Sequence, residues 1–234
     1  MKIDLNCDLG EGIGNDEAVM PYITSANIAC GFHAGDEKIM RETIRLAKRF
    51  GVNVGAHPSW NDRENFGRKE MSASHDEVEK LIIEQIQILA GIAKEENVTL
   101  THVKPHGALY NQAAKDIELA SAIARAVKKS SVDLILVGLA GSKSIEAGRE
   151  VGIRVAAEGF PDRGYNADGS LMSRSLPGAL IESPEEVAEH ALNLIKKGGM
   201  DTLCLHGDHP RAAENAKLLR DVLIQNGVEI VAIL

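Results

Sequence analysis

Eight short apolar runs rich in β-branched residues, separated by helix-patterned segments along the whole chain, restrict this sequence to an alternating β/α architecture. The runs fall at 3–9, 26–30, 52–56, 100–103, 134–137, 153–157, 202–205 and 228–233. Between them, 37–50 places Ile39, Met40, Ile44, Ala47 and Phe50 on one helical face, and 75–96 aligns Val78, Ile82, Ile86, Leu89 and Ala93. Ser74 and Glu77 have the spacing of a capping box, and Ser183-Pro184 puts proline at a first helical position. Gly51, Gly198-Gly199 and Gly227 stand where helices stop. The first strand is followed by the loop Gly10-Glu11-Gly12-Ile13-Gly14 and only a short helical stretch, 16–22. With no linker and no break in composition, one domain over 1–234 is the simplest organisation.

The runs also end alike, in a polar cluster followed by Gly or Pro. Examples are Asn6-Cys7-Asp8, Cys30-Gly31-Phe32-His33, His57-Pro58, Lys104-Pro105-His106-Gly107, Glu158-Gly159-Phe160-Pro161-Asp162 and His206-Gly207-Asp208. An open sheet gathers its ligand groups at one switch point, whereas a barrel draws them from many strand ends. Nearly every strand contributes here, so the expected fold is an α/β, TIM-like (β/α) barrel, irregular around the short first helix.

His102, Lys104 and His106 alternate and therefore share one face of the fourth strand. A lysine inside a barrel costs several kcal/mol if unpaired, against a total stability of about 5–15 kcal/mol, which favours a functional reading over an edge strand. Asp4, Asn6 and Asp8 alternate in the same way, with Glu11 just beyond. Such acceptors suit a general base, a partner for Lys104 or a cation site; the dull alternative is that Asp8 caps the glycine turn. His33, His57, His106 and His206 each end a different strand, with Asp36 and Asp208 nearby. Together they are able to hold a divalent metal, although no local ligand spacing such as His-Glu-x-x-His is present and the metal stays undecided. Arg163 and Arg174 frame the long polar loop 159–176 and suit a carboxylate or phosphate, or else a surface ion pair. Gly138–Ser144 lacks the spacing of a phosphate loop.

A formal charge of -8 argues against a nucleic-acid surface. No run approaches the roughly 18 apolar residues of a membrane span. The charged start Met1-Lys2-Ile3-Asp4 argues against an export signal. Cys7, Cys30 and Cys204, odd in number and far apart, read as reduced packing residues of a cytoplasmic protein.

Taken in order, Asp4–Glu11, Ser25–Asp36, Val54-Gly55-Ala56-His57-Pro58, Val103–Asn111, Glu158–Arg163 and Leu205-His206-Gly207-Asp208 resemble the LamB/YcsF family, the A subunits of prokaryotic 5-oxoprolinases. The resemblance implies a barrel of the glycoside hydrolase/deacetylase type and ATP-dependent opening of 5-oxoproline to L-glutamate. It further implies a complex with subunits B and C and the use of ATP with Mg²⁺, bound at those partners or on this chain. The loop 11–15 is shorter than the family pattern, and His209 stands where Thr is common. On this footing Asp8 or Glu158 is the base, His106 or His206 the acid, and Lys104 with Arg163 stabilises developing negative charge. Asn6, His33, His57, Asn111, Arg174 and Asp208 are expected around the substrate. The rival readings are a metal-dependent deacetylase or amidohydrolase without ATP, and a ligand-binding subunit without catalysis.

Overall fold

Strands and helices alternate in the computed structural model, which describes residues 1–131, 133–173, 176–205 and 211–233. The first half comprises β1 (Lys2–Leu9), α1 (Asp16–Val19) with the 3₁₀ turn Met20–Tyr22, β2 (Ser25–Ala29), α2 (Glu37–Phe50), β3 (Asn53–His57), α3 (His75–Glu95) and β4 (Leu100–Val103). There follow α4 (Gly107–Ala113), α5 (Ile117–Ser130), β5 (Ile135–Leu139), α6 (Lys143–Val151) and β6 (Arg154–Gly159). The chain continues with α7 (Pro184–Lys197), β7 (Thr202–Leu205), α8 (Ala212–Gln225) and β8 (Glu229–Ile230).

Strands β1 to β7 pair in parallel with their successors, and β1 pairs with both β2 and β7, which closes the cylinder. The expected barrel is therefore present, but the run at 228–233 yields only a two-residue strand. Its residues pair with Lys2 and Ile3 at the start of β1. The Ile3 carbonyl accepts from Val231 N at 2.9 Å, while the Leu5 carbonyl accepts from Thr24 N at 2.8 Å. Carbonyls two residues apart face the same edge, so β8 holds the beginning of the edge that β2 takes further along. There is no room for an eighth stave.

Local signals set the helix ends. Asp36 accepts from the Ile39 amide at 2.9 Å and Gly51 closes α2 in the left-handed conformation, φ 69°. Ser74 and Glu77 form the reciprocal capping box that starts α3. The α3 face of Val78, Ile82, Ile86, Leu89 and Ala93 is buried as patterned. Phe50 is not: in the last turn of α2 it lies 37% exposed, rotated away from Met40, Ile44 and Ala47. Between barrel and helices, Leu5, Cys7 and Leu9 of β1 join these helix residues in one continuous apolar cluster, each fully buried aliphatic side chain contributing about 1.5–3 kcal/mol.

Inside the cylinder, β1 sends Asp4, Asn6 and Asp8 inward at successive levels. Asp4 forms the lowest, accepting from Thr24 Oγ1 and Ser25 Oγ at 2.7 Å each and from Thr202 Oγ1 at 2.5 Å. Burial raises its pKa, and the three hydroxyls counteract part of that rise. At the level above, the ring of His102 crosses Gly55, its register partner on β3. A Cβ at Gly55 would lie 2.1 Å from His102 Nε2, so only glycine admits the ring.

Candidate active site

The upper two levels of the barrel meet at the carboxyl ends of the strands, where (β/α) barrels place their chemistry. Asn6 sits at the centre of the middle level. It donates to Glu158 Oε1 at 2.9 Å and Thr202 Oγ1 at 2.7 Å, and accepts from Asn27 Nδ2 at 2.7 Å. His102 Nε2 reaches Asn27 Oδ1 at 2.9 Å.

Lys104 stands on this polar platform with a side chain 2% exposed. Its Nζ lies 2.9 Å from Asp8 Oδ1, 2.9 Å from Glu158 Oε1, 3.2 Å from Asn6 Oδ1 and 3.0 Å from Cys204 Sγ. The Phe160 ring covers it at 5.3 Å. Burial works against the ammonium, but Asp8, Cys204 and Glu158 more than offset it and hold the pKa well above the ordinary lysine value. Burial also pushes the Cys204 thiol well up, so the compensating charge comes from the two carboxylates. Burial likewise opposes ionisation of Asp8, yet its contacts with His57 and Lys104 outweigh this and keep the carboxyl well below the usual range. Asp8 does not cap the glycine turn; Asp16 does, accepting from Gly10 N at 2.9 Å. Tyr110, one helical turn beyond His106, donates to Glu158 Oε2 at 2.7 Å, and burial keeps its hydroxyl protonated.

Beside this group three imidazoles pack tightly. His33 and His106 stack with centroids 3.9 Å apart, and His57 stands edge-on to His106 at 4.8 Å. His57 Nδ1 lies 2.7 Å from the Lys104 carbonyl oxygen and His106 Nε2 lies 2.9 Å from the Phe66 carbonyl oxygen. Phe66 adopts φ 56° and Gly67 φ 66°, which turns that carbonyl toward the histidine. The next carbonyl, of Gly67, accepts from Ala108 N at 2.9 Å. A Cβ on Gly107 would come within 2.5 Å of the same oxygen, so the loop and α4 lock together only around glycine. His33 Nδ1 meets Ser59 Oγ at 2.9 Å. Ser59 is clamped in turn by Gln85 of α3, through bonds of 2.9 and 2.8 Å to its backbone N–H and C=O. Burial, with neighbouring His57, pushes His106 down to about 3, and burial with His106 and His57 pushes His33 lower still. Glu11 Oε1 completes the group, 3.5 Å from His33 Nε2 and 3.6 Å from His106 Nδ1.

A cavity of about 540 Å³ opens above both groups. Asp8, Glu11, His57, Lys104, His106 and Tyr110 line its floor, and Leu139, Phe160 and Leu171 form an apolar wall. Asn111, Arg68 and Lys115 stand around it together with Glu70. The loop expected to act as a binding segment supplies Asn166, Ser170, Met172, Ser173 and Leu176.

Of the residues expected at the site, Asp8, His57, Lys104, His106, Asn111 and Arg163 border this cavity. Asn6, His33 and Glu158 are buried behind its lining. Arg163 is the least available of the first set. It is 6% exposed, and its Nε and Nη2 donate to the carbonyls of Ala179 and Met172 at 3.2 and 2.7 Å, tying the loop to itself. His106, expected as an acid, points its Nε2 at the Phe66 carbonyl oxygen, and burial lowers its pKa to about 3. Asp36 caps α2 and joins neither group. Arg174, His206 and Asp208 lie outside the described residues. Glu11, grouped in the sequence with the acceptors of β1, joins the histidines instead, and Tyr110, Asn27 and Ser59 carry more of the site than their sequence contexts announced. Tyr110, at i+4 from His106, offered the clearest signal.

Known proteins match this chain along its length. The LamB/YcsF family model matches residues 3–234. The A subunit of the Pyrococcus furiosus 5-oxoprolinase is 47% identical, covering 98% of this chain and 97% of its own. That of Methylococcus capsulatus is 49% identical, covering 99% and 95%. The crystal structure of a lactam utilization protein from Thermus thermophilus superposes with a TM-score of 0.92 at 45% identity, covering 100% of both chains. A peptidoglycan N-acetylglucosamine deacetylase domain from Eubacterium rectale shares the fold, with a TM-score of 0.56 at 11% identity over 100% of this chain and 88% of that one. With its motifs in order and its whole length matched, this chain belongs to the LamB/YcsF family.

Proposed function

We propose that this chain is the lactam-opening subunit of an ATP-dependent 5-oxoprolinase, working with B and C subunits to convert 5-oxoproline to L-glutamate. The observation that carries this reading is the floor of the cavity, where a buried ammonium lies 2.9 Å from each of two carboxylates. The names of the full-length relatives supply the substrate class, and Arg68 and Lys115 bring cationic groups to the cavity that suit a substrate carboxylate.

A five-membered lactam is a resonance-stabilised amide, and its closure from glutamate is favourable, so opening needs to be driven. ATP with Mg²⁺, supplied through the partner subunits, would drive it by transferring its γ-phosphoryl group to the amide oxygen with departure of ADP, which makes that oxygen part of a leaving group. Lys104 would then offset the negative charge of the phosphoryl oxygens beside the ring carbon. Asp8 lines the cavity whereas Glu158 lies behind Lys104, so Asp8 takes the proton of the attacking water and returns it to the ring nitrogen as the C–N bond breaks. This leaves an acyl phosphate that a second water hydrolyses to L-glutamate and phosphate. Glu158, fixed by Tyr110 and Asn6, holds Lys104 in place.

The test is glutamate release from 5-oxoproline by the chain alone and with B and C subunits, each with and without ATP. Release only from the complete, ATP-supplied assembly is the expected result. No release on full reconstitution contradicts the reading. Amide hydrolysis by the chain alone, without ATP, favours a metal-dependent amidohydrolase, the alternative that the histidine cluster keeps in play.

A further inference from the structure

We propose that Glu11, His33, His57 and His106 form a binding centre for one first-row divalent metal ion, with zinc the best match to its donors. Their ligand-type atoms all lie within 4.8 Å of one another, although they come from four separate stretches of chain.

The fixed tautomers carry the inference. A backbone carbonyl only accepts, so His57 carries its proton on Nδ1, toward Lys104, and His106 carries its proton on Nε2, toward Phe66. Ser59 Oγ donates to the Trp60 carbonyl at 2.7 Å and therefore accepts from His33 Nδ1. Each ring is thus held from behind, and the remaining nitrogens face one another, with Asp8 Oδ2 also 3.4 Å from His57 Nε2. Outer hydrogen bonds of this kind orient metal-binding histidines.

Where these nitrogens meet, the protein alone leaves the donors poorly matched. His33 Nε2 is buried with no hydrogen-bond partner among the described residues, and another acceptor, Glu11 Oε1, lies 3.5 Å from it. His57 Nε2 and His106 Nδ1 oppose each other at 2.9 Å, and His106 Nδ1 is left as an acceptor because its proton is on Nε2. One added proton relieves only one of these contacts. A divalent cation would engage all four donors together after small side-chain shifts, since they lie within 4.8 Å of one another.

Two of the spacings are close to those of a zinc site. Zinc–ligand bonds of about 2.0–2.1 Å give tetrahedral edges of roughly 3.3–3.4 Å, beside the 3.5 and 3.6 Å separations that Glu11 makes with His33 and His106. The 2.9 Å between His57 Nε2 and His106 Nδ1 is shorter, so these two rings must part for one ion to reach both. Three imidazoles and one carboxylate favour zinc or a neighbouring transition ion over magnesium or calcium, which prefer oxygen. Glu11, His57 and His106 border the cavity, so a bound ion is within reach of a substrate, where it supplies Lewis-acid polarisation of a carbonyl or an acidified water. The assignment is independent of the lactam reaction, because it rests on the ligand set alone.

Metal-stripped protein equilibrated with Zn²⁺, Mn²⁺, Co²⁺ or Mg²⁺ and analysed by mass spectrometry of bound metal tests it. One ion per chain is expected for zinc and cobalt, with a cobalt absorption spectrum showing nitrogen ligation and a rise in thermal midpoint on zinc addition. Glu11→Gln and His33→Ala, each checked for native circular dichroism, are expected to weaken zinc binding at least tenfold, as loss of a metal-supporting group does. Absence of stoichiometric uptake by the wild type overturns the assignment. So does equal uptake by wild type and a folded Glu11→Gln variant.

Discussion

Lys104 Nζ and Asp8 Oδ1 lie 2.9 Å apart inside the barrel although 96 positions separate them in the chain. The contact joins β1 to the end of β4 and fixes the protonation of both groups. Replacing Lys104 by Met leaves Asp8 and Glu158 without their shared cation, and breaking a buried pair in this way costs about 3–5 kcal/mol. The variant is expected to lose turnover and to unfold at a lower urea midpoint. A wild-type midpoint contradicts the pairing.

Tyr110→Phe removes one hydroxyl and leaves the ring packed against Phe160, with centroids 5.8 Å apart. Its bond to a buried carboxylate predicts a loss of about 1.5–3 kcal/mol by chemical denaturation. An unchanged stability means that Glu158 does not depend on Tyr110.

Two glycines make a matched pair. Gly55→Ala forces a methyl to within 2.1 Å of His102 Nε2, a ring held by Asn27, and is expected to cost about 1–3 kcal/mol or more. Gly91 lies within α3, where an added methyl meets nothing within 4 Å, and Gly91→Ala is expected to gain about 0.8–1 kcal/mol. Equal effects at the two positions contradict the crowding at His102.

Much of this arrangement was legible in the residues themselves. Alternation placed Asp4, Asn6 and Asp8 on one face, and His102 and Lys104 on another, because strand geometry has a strict period of two. Barrel closure followed from polar groups ending so many different strands. Loop geometry was not legible. Nothing near Phe66 announces a left-handed residue whose carbonyl fixes a histidine forty positions away. Arg163 looked like an anion clamp because its guanidinium fits one, and only the folded loop shows its donors turned on Ala179 and Met172. The short β8 depended on competition with β2 for one edge, a relation that no single segment encodes.

On the outer surface Glu96 accepts from Arg41 and Arg45, and the hydrogen bonds from Arg45 and Arg41 hold its pKa down to about 2. A carboxyl whose folded pKa lies below its unfolded value of about 4.3 stabilises the fold at higher pH and loses that contribution as pH falls through the folded value. Glu96→Gln is therefore expected to flatten the stability profile between about pH 4.3 and 2, as followed by thermal midpoints. An unaltered acid limb contradicts the link between α2 and the end of α3.

The most direct test of Asp8 as the base in this cavity is glutamate release by the complete assembly carrying Asp8→Asn in this chain, at saturating ATP and 5-oxoproline. Loss of a general base is expected to slow release by about 10²-fold or more, with the subunits still co-purifying. Undiminished release from an intact assembly contradicts it.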